Sequence, residues 1–183
     1  MPRGPWASTL HARPRSWPDA RGVGAALALA TALAASAAST DASADFTGRI
    51  VSVPDGDTLT VLVERQPVRV RLWGIDAPEH GQPWSGRARD SLAARAMHRE
   101  ARVLERGTDG FGRTLARVSV DGVDLAEAQL RDGMAWMFRR YTTDPALAKL
   151  ENDARTARRG LWSSRDPEPP WRYRDRVDPR AMR

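Results

Sequence analysis

From Thr47 to Gly74 apolar residues recur at every second position between breaks that only a turn accommodates, and this narrows the possible folds more than any other feature. Ile50, Val51 and Val53 lead into Pro54-Asp55-Gly56. Leu59, Val61 and Val63 alternate with Thr60, Leu62 and Glu64, and after Gln66-Pro67 the residues Val68, Val70 and Leu72 alternate with Arg69, Arg71 and Trp73. Period-two alternation of β-branched residues between turn signals predicts a three-stranded antiparallel meander.

The period then changes. Ala88, Leu92 and Ala96 recur every four positions, with Ala93 and Met97 beside them, so Ser85 to His98 is expected as a helix with one apolar side. Val103 and Leu104 suggest a strand, Asp109-Gly110-Phe111-Gly112 a turn, and Leu115, Ala116, Val118 and Val120 the next strand. A second helix is expected from Asp124, with Glu127 in capping-box register and Gly133 as its stop. Within it Gln129 falls one helical turn beyond Leu125, a polar residue on the presumed inner face. A third helix is expected from Asp144-Pro145 to Gly160, with Leu147, Leu150, Ala154 and Leu161 marking its inner side. Five strands, with one helix inserted after the third and two at the end, predict an α+β fold: a small five-stranded β-barrel with three helices.

Not all 183 residues belong to that body. Residues 1–44 begin with Arg3, Arg13, Arg15 and Arg21, continue with an uncharged run from Gly22 to Ala38, and offer Ala35-Ser36-Ala37 and Ala42-Ser43-Ala44 as cleavage sites. That order is the pattern of a signal peptide, and the run is shorter than the ~20 residues of a spanning helix. The expected domain is 45–165, and 166–183, rich in Pro and Arg, is expected to be a poorly ordered tail. Such a chain would be secreted or periplasmic, or membrane-anchored if the leader is retained. The net charge is +6, and +4 without residues 1–44, which hold four Arg against Asp19 and Asp41. That excess favours a polyanionic partner, and all the basic residues except Lys149 are arginine, which suits bidentate phosphate contacts. The absence of cysteine excludes disulfides, zinc–thiolate sites and a cysteine nucleophile. His11, His80 and His98 share no ligand spacing.

Three clusters carry the chemistry. In Asp55-Gly56-Asp57-Thr58, Asp55 is the turn-former, while Asp57 opens a strand with Thr58 able to fix its carboxylate. In the segment from Arg71 to Glu79, a strand end and a rigid Ala77-Pro78 turn present Asp76 and Glu79. In Asp109-Gly110-Phe111-Gly112-Arg113, an arginine begins a strand after a flexible turn. Two carboxylates, a carbonyl and waters suit a hard divalent cation, and guanidiniums offset charge on an attacked phosphate.

Together, in this order, the clusters resemble the thermonuclease family, the staphylococcal-nuclease-like domains. The resemblance continues through Asp121-Gly122, the run from Leu130 to Trp136, and Arg159-Gly160-Leu161-Trp162, covering roughly Phe46 to Trp162. It implies an OB-fold barrel of five strands with three helices, and calcium-dependent cleavage of DNA and RNA with release of the 5′ oxygen and 3′-phosphate products. It also implies one calcium ion held by Asp57, Asp76 and the Ala77 carbonyl, Glu79 as general base, and Arg71 and Arg113 as phosphate clamps. Substrate contacts would fall to Phe111, Arg139 and Tyr141. The chain departs from the best-known member where Ala77 replaces a threonine, Phe111 a tyrosine and Arg139 one of two tyrosines. Trp136 is expected in the core, Trp162 at a helix end and His80 in an exposed loop. No dimer signal is visible, so a monomer acting on nucleic acid without a stable protein partner is expected. The competing reading is a non-catalytic nucleic-acid-binding module on the same barrel.

Overall fold

Barrel closure decides which distant segments of this chain meet. The computed structural model describes residues 45–177; the expected leader 1–44 and the last six residues lie outside them. Strands β1 (Phe46–Ser52), β2 (Thr58–Val63) and β3 (Gln66–Leu72) form the meander. A two-residue strand β4 (Ile75–Asp76) follows, then helix α1 (Ser85–Ala96), β5 (Glu100–Thr108) and β6 (Thr114–Val120). β1 pairs with β5, β5 with β6, and β6 returns to pair in parallel with β3, matching Val70 with Thr114 and Arg71 with Leu115. The result is a closed five-stranded barrel of the OB type. Alternate residues Ile50, Leu59, Val61, Val70, Leu72, Val103 and Val118 fill its interior and are fully buried. Each contributes about 1.5–3 kcal/mol of burial.

The two helices after the barrel start where their caps dictate. A two-residue strand β7 (Val123–Asp124) leads into α2 (Leu125–Arg131), and the Asp124 carboxylate accepts from the Glu127 N–H at 3.0 Å. Strand β8 (Trp136–Met137) pairs with β4, and α3 (Pro145–Thr156) is capped by Asp144, which accepts from the Ala146 N–H at 2.8 Å. α1 buries Ala88, Leu92 and Ala96 as the spacing predicts, but ends before His98, whose φ of 64° is left-handed.

Three expectations need correction. α3 ends at Thr156 rather than Gly160, because Arg158 turns left-handed, and Gly160 opens a short 3-10 turn (Gly160–Ser163) that buries Leu161 and Trp162. The inner face of α3 carries Glu151 with Leu147 and Ala154, while Leu150 is only partly buried. Lastly, the tail is not structureless: Pro170–Val177 forms a fourth helix, α4. Pro170 supplies the fixed φ of a first helical position and is itself buried. Trp171 packs on Phe138, with ring centroids 6.1 Å apart, and borders a cluster of Trp136, Ala154, Leu161 and Trp162. Among the described residues no helix is long and apolar enough to cross a membrane.

Candidate active site

The turn before β2 is built by its own residues. Asp55 Oδ1 accepts from the N–H groups of Asp57 (3.1 Å) and Thr58 (2.7 Å), which aims Asp57 inward. Gly56 is needed for space: a Cβ there would lie 2.7 Å from the Ala88 Cβ and 2.8 Å from the Ala77 Cβ. Asp57 is 2% exposed. Its Oδ1 accepts from the Thr58 hydroxyl (3.1 Å), its Oδ2 from the Ala77 N–H (2.6 Å). Burial pushes its carboxyl up to about 7, against the opposing pull of the Arg71 guanidinium.

Thr58 stands opposite Arg71 in the β2–β3 ladder, and Arg71 stands beside Leu115 where β3 meets β6. Those two registers gather the site. The Arg71 guanidinium bridges the two aspartates, with Nη1 on Asp57 Oδ1 and Nη2 on Asp76 Oδ1, each at 2.6 Å. Asp76 is wholly buried, anchored by the pairing of β4 with β8. Arg113, just ahead of β6, donates from Nε to Asp109 Oδ2 (2.7 Å) and from Nη1 to the Thr58 hydroxyl (3.4 Å). Arg174 of α4 completes the constellation, reaching Asp76 Oδ2 at 2.9 Å and Glu79 Oε1 at 2.5 Å. Hydrogen bonds therefore run without a gap from Arg113 through Thr58, Asp57, Arg71, Asp76 and Arg174 to Glu79.

An open cleft of about 1100 Å³ lies over this chain, bordered by Phe111, Arg139, Tyr141 and Trp171 among others. Phe111 is 87% exposed at the lip, with the Arg113 guanidinium 5.5 Å from its ring. Tyr141 stands edge-on to Phe138, ring centroids 4.8 Å apart. Arg139 borders the cleft, but one of its nitrogens is spent on Glu151 Oε2 (3.0 Å). Glu151 is fully buried and also accepts from the Met137 N–H and from Arg155. Trp136 is in the core, edge-on to Trp162, and His80 is exposed.

Residues 69–164 match the family described as staphylococcal nuclease homologue. The chain is 42% identical over 134 residues to an uncharacterized endonuclease of Escherichia coli O157:H7, covering 73% of this chain and 88% of that one. A micrococcal nuclease of Shigella flexneri is 41% identical over 144 residues, covering 73% and 83%. An uncharacterized endonuclease of Haemophilus influenzae is 32% identical over 135 residues, covering 72% and 76%. The chain belongs to the staphylococcal nuclease family. It is accordingly a nuclease, a phosphodiester hydrolase whose substrates are nucleic acids.

Members of the staphylococcal nuclease family generally require a metal, and the donor set here fits a hard divalent ion. Asp57 and Asp76 converge on one guanidinium, that of Arg71. The buried Asp57 carboxylate is the kind of group whose charge a cation stabilises. Among the described residues no group of three or more His, Cys, Asp and Glu side chains is arranged to hold a metal. Two carboxylates, a main-chain oxygen and water would have to complete the shell. Two contributors escaped the sequence reading. Gln129, marked there only as a conflict, donates to the Gly56 carbonyl and so holds the Asp57 turn. Arg174 lay in the presumed tail; the signal that could have found α4 is Pro169-Pro170-Trp171, a helix start with an apolar anchor.

Proposed function

We propose that this nuclease hydrolyses DNA and RNA with low sequence specificity, using one calcium ion, and breaks the bond from phosphorus to the 5′ oxygen to leave 3′-phosphates. The observation that carries this reading is the hydrogen-bonded chain from Arg113 through Thr58, Asp57 and Arg71 to Asp76, which gathers two aspartates and two family guanidiniums at one cleft that Glu79 also lines. Asp57, Asp76 and the Ala77 carbonyl are the proposed calcium ligands, and the ion's chemistry there is Lewis-acid stabilisation of phosphate charge. Arg71 and Arg113 take the non-bridging oxygens, and neither guanidinium loses its proton near neutral pH. Once the two aspartates are otherwise neutralised, Arg71 is free to turn from them to phosphate.

Glu79 takes a proton from the attacking water. The water oxygen bonds to phosphorus, the bond to the 5′ oxygen breaks, and that oxygen leaves as a hydroxyl with a proton from solvent. Phe111 and Tyr141 offer ring faces and Arg139 a charged rim. Stacking and phosphate contacts read no base edges, which supports low specificity.

Plasmid DNA and single-stranded RNA are to be digested with calcium and with chelator, beside Glu79→Gln. Both substrates should be cut only with calcium. The variant should be at least ~10²-fold slower, the loss typical of a positioned general base. Undiminished cutting in chelator would refute the calcium assignment, and an unimpaired variant would refute Glu79.

A further inference from the structure

Arg174 grips the carboxylates that the proposed reaction needs free. Its Nη2 donates to Asp76 Oδ2 (2.9 Å), and its Nη1 to Asp76 Oδ1 (3.2 Å) and Glu79 Oε1 (2.5 Å). With Arg71 also on Asp76 Oδ1, both oxygens of Asp76 are taken by guanidiniums. The helix that delivers Arg174 is eight residues long and lightly attached. Pro170 is its one buried residue, Trp171 rests on Phe138, Tyr173 is half-buried, and the Gln82 amide donates to the Glu168 carbonyl just ahead of the helix (2.5 Å), while Arg172, Asp175, Arg176 and Val177 face solvent. Few buried contacts place such an element among the first to open.

This guanidinium sets a positive charge directly against Asp76 and Glu79. A second cation brought to the same Asp76 carboxylate would be repelled by it.

We propose that α4 is an autoinhibitory strap: Arg174 occupies the carboxylate of Asp76, one of the two proposed cation ligands, together with Glu79, so that cation binding and α4 docking exclude each other. The inference rests on the reading of Asp57 and Asp76 as cation ligands. Linkage makes the exclusion reciprocal: the factor by which docked α4 weakens cation binding is the factor by which the cation weakens docking.

The test is calcium titration by calorimetry, without nucleic acid, of the full chain, Arg174→Gln, and Trp171→Ala, which loosens α4 while keeping the guanidinium. Amide hydrogen exchange across α4 is followed with and without calcium. Both variants should bind calcium more tightly, Arg174→Gln by on the order of tenfold, within the usual range of coupling. Amides of α4 should exchange faster in the calcium-loaded parent chain. Equal or weaker binding by Arg174→Gln overturns the strap and leaves the calcium site standing, as does α4 protection that calcium does not change. Absence of calcium binding in every chain overturns the calcium site and the strap together.

Discussion

Gln129 is a polar side chain where the α2 pattern calls for an apolar one, and the site depends on it. It is fully buried, its Nε2 donates to the carbonyls of Gly56 (2.8 Å) and Ala88 (2.9 Å), and its Oε1 accepts from the Ser91 hydroxyl (2.9 Å). It thereby ties the Asp57 turn to α1 and α2. Gln129→Leu keeps the size and removes these bonds, leaving the Gly56 carbonyl without its donor at about 1–3 kcal/mol, while the Ala88 carbonyl keeps its place in the α1 ladder. Urea unfolding should show a loss of roughly 1–3 kcal/mol; a loss under about 0.5 kcal/mol, the level of an indifferent surface change, would mean that the amide holds nothing. Glu151 follows the same logic on α3, where a buried carboxylate is offset by Arg139 and Arg155. Gln129 could not be understood from its own helix, because its partners lie on other segments; Glu151 has Arg155 one turn on in α3, but its partners Arg139 and the Met137 N–H lie outside that helix.

At the scale of elements, the β5–β6 turn is a preformed holder for Arg113. Partial burial raises the Asp109 carboxyl, but hydrogen bonds from the N–H groups of Arg113 and Phe111 and from the Arg113 guanidinium outweigh it, leaving Asp109 below the usual carboxylate range. A depressed carboxylate stabilises the fold above its unfolded pKa of ~3.9, and that contribution is lost as pH falls through the lower folded value. The turn should therefore hold at pH 5. NMR titration of the Phe111 and Arg113 amides should show their shifts moving only below about pH 4; a midpoint near 5 would contradict the assignment. The turn itself was legible from Asp109-Gly110-Phe111-Gly112. Helix α4 was not, since its Arg-rich stretch carries little apolar periodicity and its stability comes from Trp171 resting on a distant loop.

Over the whole molecule, Asp57 stands in the turn before β2 and Asp76 on β4, and the two are held together by the pairing of β2 with β3 and of β4 with β8. A cation that bridges them binds the folded chain and not the unfolded one, so its binding adds to stability. At a hundredfold excess over its dissociation constant, calcium should add ~2.7 kcal/mol and raise the melting temperature by roughly 10 °C, an increase that chelator abolishes. Calorimetric scans that coincide with and without calcium would remove the shared site. The amino-acid sequence alone determined the meander, the starts of the helices at Ser85, Asp124 and Asp144, and the three chemical clusters, because period, caps and turn chemistry act between residues a few positions apart. Only the tertiary structure decided that β6 returns to β3 and sets Arg113 near Arg71, that Gln129 and Glu151 belong inside, and that Arg174 reaches back onto Asp76. Those outcomes depend on pairing across tens of residues, where the free energy of closure and burial, and not local preference, selects the partner.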